Sequence, residues 1–232
     1  MNILITGASQ GIGFAIAEVF SKNGNKVLIT SRNEVRLYQA LESLQTRYPD
    51  ANFRARAFDL SVKEQVQVLA AWALEQGTPD VLVNNAGFFE PGNISDEADG
   101  VLESQMATNL YSAYHLTRAV LPAMKAQKKG FIFNICSVAG LQAYPGGGAY
   151  SISKFALNGF SQNLREELKP HGIKVTALFP GAVMTASWGG FDNSKKRIME
   201  AADIATLIET STRLSDAACV ESIILRPQLG DL

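Results

Sequence analysis

The sequence lacks most of what would mark a metalloprotein, a secreted scaffold or a membrane protein. Its 232 residues contain two cysteines and two histidines. Cys136, Cys219, His115 and His171 are scattered along the chain, so no zinc-type spacing exists and no metal is expected. Two distant thiols do not form a disulfide framework and are expected to be reduced, in a cytoplasmic protein. The net charge of −1 and pI near 6.2 give no footprint for nucleic acid or an anionic membrane. No apolar run approaches the ~18–20 residues of a membrane span. The first strand pattern begins at Ile3, so no signal peptide is expected. Linkers, low-complexity tracts and sequence repeats are missing as well, so one domain over 1–232 is expected. What remains is 47% hydrophobic and 19% charged, ordinary for a chain that buries one sizeable core.

Short apolar runs alternate with longer amphipathic stretches. The pattern predicts strands at 3–6, 27–30, 53–58, 81–84, 131–136, 174–179 and 221–226. It predicts helices at 11–23 (ending at Asn23, before Gly24), 33–48, from a Ser61 cap to 76, 99–127, 150–168 and 202–213. The strands are rich in Val, Ile, Leu and Phe without polar alternation, which suits a sheet covered on both faces. Strand–helix alternation implies right-handed crossovers. The fold class is therefore α/β: a single-domain, Rossmann-type, doubly wound parallel sheet of about seven strands with helices on both faces.

Loops after such strands gather at one edge, where ligands bind. The first strand runs into Gly7, Ser9, Gln10, Gly11, Ile12 and Gly13 and then a helix. The glycines let backbone turn tightly and approach a pyrophosphate stabilised by the helix N-terminus. Residues 7–11 also fit a Gly-x-Ser-x-Gly hydrolase elbow. That chemistry needs a histidine at the same edge; His115 is mid-helix and His171 precedes the sixth strand, at the opposite edge. After the second strand stand Ser31 and Arg32 where a ribose-binding acid is usual, which predicts a 2′-phosphate and hence NADP(H). Asp59 and Leu60 follow the third strand, placed to meet an adenine edge. Asn85, Ala86 and Gly87 follow the fourth, small enough to lie along ribose and nicotinamide. Ser137 follows the fifth. Tyr150 and Lys154 are one turn apart on the next helix, so phenol and ammonium share a face.

Together with Asn109, Pro180-Gly181 and Thr185, these residues make the chain resemble the short-chain dehydrogenase/reductase family, in its Tyr-x-x-x-Lys branch, over essentially its whole length. The resemblance implies that Asn109, Ser137, Tyr150 and Lys154 are catalytic. Tyr150 would be the proton donor, Ser137 the hydrogen-bonding partner of the substrate oxygen, and Asn109 the anchor of a water that relays protons to Lys154. An ammonium about 4 Å from the phenol, at an effective dielectric of ~20, is worth roughly 4 kcal/mol, enough to bring the phenol near pH 7. Family members close a segment corresponding to about 182–200 over substrate, with Pro180, Gly181, Val183 and Thr185 on the cofactor. Phe89, Leu141, Tyr144, Trp188 and Phe191 are candidate pocket walls for a small-molecule carbonyl substrate. The tail 221–231 and short lid look most similar to bacterial sepiapterin-reductase-like members. The alternatives are a 3-oxoacyl-carrier-protein reductase, an alcohol or polyol dehydrogenase, or a non-catalytic dinucleotide-binding sensor. Apolar residues on more than one face of 99–127 predict a homodimer or homotetramer.

Overall fold

A computed structural model of the chain describes residues 1–22 and 24–231. The helix end expected at Asn23 lies outside the described residues. Seven strands, β1 (Asn2–Thr6), β2 (Lys26–Thr30), β3 (Asn52–Ala55), β4 (Val81–Asn84), β5 (Gly130–Ile135), β6 (Ile173–Pro180) and β7 (Ser222–Leu225), form one sheet in the order β3-β2-β1-β4-β5-β6-β7. Every pairing is parallel. The helices are α1 (Gly11–Ser21), α2 (Glu34–Arg47), α3 (Lys63–Glu75), α4 (Val101–Met106), α5 (Ser112–Gln127), α6 (Gly148–Leu168) and α7 (Ala201–Thr212). No helix among the described residues is long and apolar enough to cross a membrane.

The two-residue period of a strand sorts its unbroken apolar runs into two layers. Ile3 and Ile5 face one way with Val27, Ile29, Val81 and Val83, and pack under α1, α2 and α7. Leu4, Leu28, Leu82 and Ile132 face the other way and pack under α3, α5 and α6. At ~1.5–3 kcal/mol for each fully buried aliphatic side chain, these two layers supply the main driving force of the fold. The strand order reverses between β1 and β4, the place where an open parallel sheet leaves a crevice at its carboxyl edge.

Three elements differ from the sequence expectation. Ser61 does not cap α3: its hydroxyl donates to Asp59 Oδ1 at 2.6 Å, and the helix starts after Val62 without a side-chain cap. A local Asx-type turn has taken the serine out of the cap position. The third strand leaves the ladder at Ala55, although the chain stays beside β2 as far as Phe58, whose N–H donates to Ser31 O at 3.1 Å. The long helix expected over 99–127 is divided: α4 and α5 are joined by a π-helical segment, Ala107–Tyr111, centred on Asn109. Such a widened turn inside a helix commonly marks a functional site.

Candidate active site

The loop after β1 turns in a left-handed conformation at Gly11 (φ +59°), which an L side chain adopts only at a cost of ~1–2 kcal/mol. A Cβ there would also meet Thr185 Cγ2 at 3.1 Å, so this loop and the segment after β6 face each other. A Cβ on Gly13 would lie 2.5 Å from Gly7 O, so the first turn of α1 closes directly on the loop backbone. Asn85 fastens the arrangement from β4. Its Nδ2 donates to Thr6 O at 2.9 Å and Gly7 O at 3.0 Å, while Thr6 Oγ1 accepts from the N–H groups of Asn85 and Ala86, each at 2.9 Å. The glycine loop is thereby a rigid cradle, open toward the sheet edge.

Tyr150 lies in the first turn of α6 and Lys154 one turn on. Lys154 is 5% exposed, and its ammonium donates to Ile135 O at 2.9 Å, at the end of β5. It also stands 5.6 Å from the Tyr150 ring centroid. Ser137 follows β5 and accepts from Ala139 N at 3.1 Å in a short 3-10 turn, Val138–Gly140. A Cβ on Gly140 would meet the Lys154 carbonyl carbon at 2.8 Å, so the turn rests on the α6 backbone and brings Ser137 to Tyr150. Asn109 joins the cluster from the π segment. Its Nδ2 donates to Ser153 Oγ at 2.9 Å, and Ser153 donates in turn to Tyr150 O at 2.7 Å. Its amide also accepts from and donates to the backbone of Phe88, at 2.9 and 3.1 Å.

The electrostatics differ from the sequence estimate of a phenol near neutrality. Burial pushes the Tyr150 phenol above its ordinary value; the Ser137 hydroxyl draws it back down and Cys136 raises it further. Burial lowers Lys154 to about 8, against a smaller upward pull from Cys136, and drives the Cys136 thiol up to about 12. Desolvation outweighs the pairwise attraction because Lys154 points its ammonium at a carbonyl rather than at the phenol. At neutral pH the cluster thus holds a protonated phenol beside a mostly charged ammonium and an inert thiol.

A cavity of about 580 Å³ opens above this cluster, within the usual range of ligand sites. Its lining includes Gly7, Gln10, Gly11, Ile12, Asn85 and Gly87 from the loops after β1 and β4, and Ser137, Tyr150, Lys154, Pro180, Gly181, Val183 and Thr185 from α6 and the segments after β5 and β6. Phe89, Tyr144 and Trp188 are aromatic wall residues; Phe89 meets the Tyr150 ring edge-on at 4.9 Å between centroids. Leu141 and Phe191 are not in the wall: Leu141 is exposed, and Phe191 packs edge-on behind Trp188. Asn109 and Gly13 stand behind the lining. Ser9, Ser31, Arg32, Asp59, Leu60 and Ala86 are outside it, those after β2 and β3 extending the crevice along the sheet edge. No hydrogen bond or ion pair among the described residues engages the Arg32 side chain, and Arg32 is exposed. An open glycine cradle at one end and an unpaired guanidinium beyond it fit a dinucleotide with a phosphorylated ribose.

Wall residues that were not anticipated include Phe88, Cys136 and Gln142, and also Arg226 and Asp231, which form an ion pair. Arg197 holds their segment by donating to Gly230 O at 2.8 Å and Asp231 O at 3.2 Å. The signal available in the sequence was topological: residues following β7 emerge at the same edge as every other βα loop.

Comparison with known proteins gives a consistent picture. Residues 1–196 match the short chain dehydrogenase family. A protein named sepiapterin reductase from Chlorobaculum tepidum is 34% identical over 239 residues, covering 99% of this chain and 97% of its own. A metagenomic short-chain oxidoreductase solved with NADP superposes with a TM-score of 0.86 at 31% identity, over 98% and 97% of the two chains. L-sorbose reductase from Gluconobacter frateurii, solved with NADPH and L-sorbose, gives 0.87 at 25% identity, over 97% and 96%.

Proposed function

The chain belongs to the short-chain dehydrogenase family of oxidoreductases, and from that premise we propose that it is an NADP(H)-dependent reductase of a small carbonyl compound, with Tyr150 as the proton donor. The observation that carries the proposal is the buried phenol, kept protonated beside Ser137 and Lys154 at the floor of a cavity that ends in the glycine loop. Residues 7–13 would hold the pyrophosphate, Ser31 and Arg32 the 2′-phosphate, Asp59 and Leu60 the adenine. Asn85–Gly87, Lys154 and the segment Pro180, Gly181, Val183 and Thr185 would hold the nicotinamide riboside. NADP complexes of the similar structures support this choice of cofactor.

When bound, NADPH supplies a hydride to the carbonyl carbon. Tyr150 gives its proton to the carbonyl oxygen, so the product is the alcohol. The Ser137 hydroxyl donates a hydrogen bond to that oxygen as negative charge develops on it. The Lys154 ammonium stabilises the phenolate left behind, which regains a proton from solvent. Residues 182–200 act as the substrate lid. Its ends are pinned by Met184 N–H to Met199 O at 2.8 Å and Met199 N–H to Ala182 O at 3.1 Å, with Gly189 and Gly190 between them.

Phe89, Tyr144 and Trp188 favour an apolar or aromatic carbonyl compound. Sepiapterin is the first substrate to assay, given the relative that bears that name, followed by diketones and 3-oxoacyl thioesters. Reduction of a thioester without any pterin would favour the 3-oxoacyl reductase alternative. Tyr150→Phe is expected to retain less than about a tenth of wild-type carbonyl reduction, within the usual span of general-acid effects; retention above that removes Tyr150 from its role. The part-exposed Tyr111 (49%), at the N-cap of α5, and Tyr114 (37%), within it, support a homodimeric or homotetrameric assembly through that helix.

A further inference from the structure

Helix α6 carries the reacting phenol but starts without a cap of its own. Its N-cap is Gly147, which has no side chain to offer the unpaired first-turn N–H groups. One of these belongs to Ala149, the residue before Tyr150, and Ala149 is fully buried, so water cannot serve it. Its N–H donates instead to Glu97 Oε1 at 2.8 Å, from the loop between β4 and α4. The glutamate is seated in a slot made by two glycines. A Cβ on Gly148 would come 2.0 Å from Glu97 Oε1, and one on Gly92 would come 2.6 Å from Glu97 Cγ. Two more contacts stitch the same loop to the helix start: Gly92 N–H to Gly146 O at 3.1 Å, and Gly146 N–H to Asn93 Oδ1 at 3.1 Å. Earlier in the loop, Phe89 meets the Tyr150 ring and Phe88 is held by Asn109. Glu97 itself is not part of the cavity wall.

We propose that Glu97 is a positioning residue for Tyr150: it supplies, from a distant segment, the cap that α6 lacks, and so sets where the first turn of α6 presents the phenol to Ser137. This rests on Tyr150 being the proton donor. Lys154 is anchored independently, one turn deeper, on Ile135 O. Loss of the Glu97 contact therefore moves the donor while leaving the cofactor side in place. Misplacement of a reacting group by a fraction of an ångström to 1 Å lowers turnover by ~10–100-fold.

The test compares Glu97→Ala, Glu97→Asp and Glu97→Gln in NADPH-dependent reduction of a vicinal diketone and of sepiapterin. Glu97→Ala is expected to lower kcat about tenfold or more with KM for NADPH within about twofold. Glu97→Gln, whose amide oxygen still accepts from Ala149 N–H, is expected to keep kcat within about threefold, and Glu97→Asp, one methylene short, to fall between. Hydrogen exchange of a peptide spanning residues 146–152 in the cofactor-free protein reports on the contact without turnover. It should speed up in Glu97→Ala and stay slow in Glu97→Gln, which keeps the proposal testable if no carbonyl in the assay reacts. Unchanged kcat in Glu97→Ala, equal losses in Gln and Ala, or unchanged exchange would each overturn it. Measuring Glu97→Ala in the Tyr150→Phe background separates the two ideas. If Glu97 acts through Tyr150, its effect on kcat disappears there. If Tyr150→Phe alone stays active, the proton-donor assignment fails, and the exchange result still decides whether Glu97 holds the helix.

Discussion

Replacing Lys154 with methionine should destroy turnover and, in the cofactor-free protein near neutrality, leave the fold as stable as before or more so. The side chain is buried at the end of β5, and burial lowers its pKa from 10.5 to about 8. At ~1.4 kcal/mol per pH unit, holding the charged form in place costs the native state ~3 kcal/mol. Methionine fills nearly the same volume without charge but leaves the Ile135 carbonyl without its donor, a penalty of ~1–3 kcal/mol. The expected balance at pH 7 is a gain of zero to ~2 kcal/mol for Lys154→Met. The pH dependence is the sharper test. Between pH 8 and 10.5 the unfolded lysine still holds its proton while the native one has released it. Wild-type stability therefore rises with pH across that window relative to the variant. Below pH 8 both states are charged and the cost is fully present; above 10.5 it is gone. Urea denaturation of both cofactor-free proteins, at one protein concentration and at pH 7 and about 10, measures the gap. Contributions from tyrosines and cysteines common to both proteins cancel in the difference. A gap that does not move by at least ~1 kcal/mol in favour of the wild type would refute the desolvation reasoning.

Arg32→Ala should lower kcat/KM with NADPH by ~10–100-fold, the worth of a charged hydrogen-bonded contact. It should leave NADH within about twofold, so the variant loses its preference between cofactors. Wild-type protein that uses the two equally well, or prefers NADH, would dismiss the 2′-phosphate assignment. Light scattering at micromolar concentration should return a dimer or tetramer; a monomer would leave Tyr111 and Tyr114 as ordinary surface aromatics.

The sheet was legible because its strands are covered on both faces. Runs such as Val81–Val83 are apolar at every position, short, and separated by helix-length stretches, which together admit few arrangements. The loops that build the site were legible for the same reason, since topology alone collects them at one edge. What escaped was decided by contacts far apart in sequence or by competition within a turn. The π segment at Asn109 answers to partners at Phe88 and Ser153, which no local pattern encodes. Ser61 had two hydrogen-bonding choices, and Asp59 two residues back prevailed over the helix end. The phenol's environment was misjudged because Tyr–Lys spacing reveals proximity but not burial, and burial is the larger effect. Arg226 and Asp231 were missed although topology brings the segment after β7 to the same edge, because no motif there marks a site residue. Glu97 looked like one acid among many until its partner at Ala149 was known.

The unfavourable elements of the structure collect at the carboxyl edge. Gly7 and Gly11 adopt left-handed backbone, Lys154 is buried as a cation, and α6 borrows its cap. Beneath them, Asn84 on β4 donates to Asn134 at 2.8 Å and Thr117 at 3.0 Å, and Asn134 donates to Ser161 at 2.8 Å. This polar network stands in a sheet whose buried side chains are mostly apolar, and it leaves Asn84 Oδ1 without a partner. A sequence selected for stability alone would carry Val or Ile at such strand positions. The amides cross-link β4, β5, α5 and α6 directly below Asn85 and Lys154. They trade apolar burial for a directional hold on the two strands that end in the site. An aliphatic core layer is tolerant of small slides between neighbours, whereas paired amides have one good register. The part of the core under the reacting groups is therefore built for position, and the part remote from them for burial.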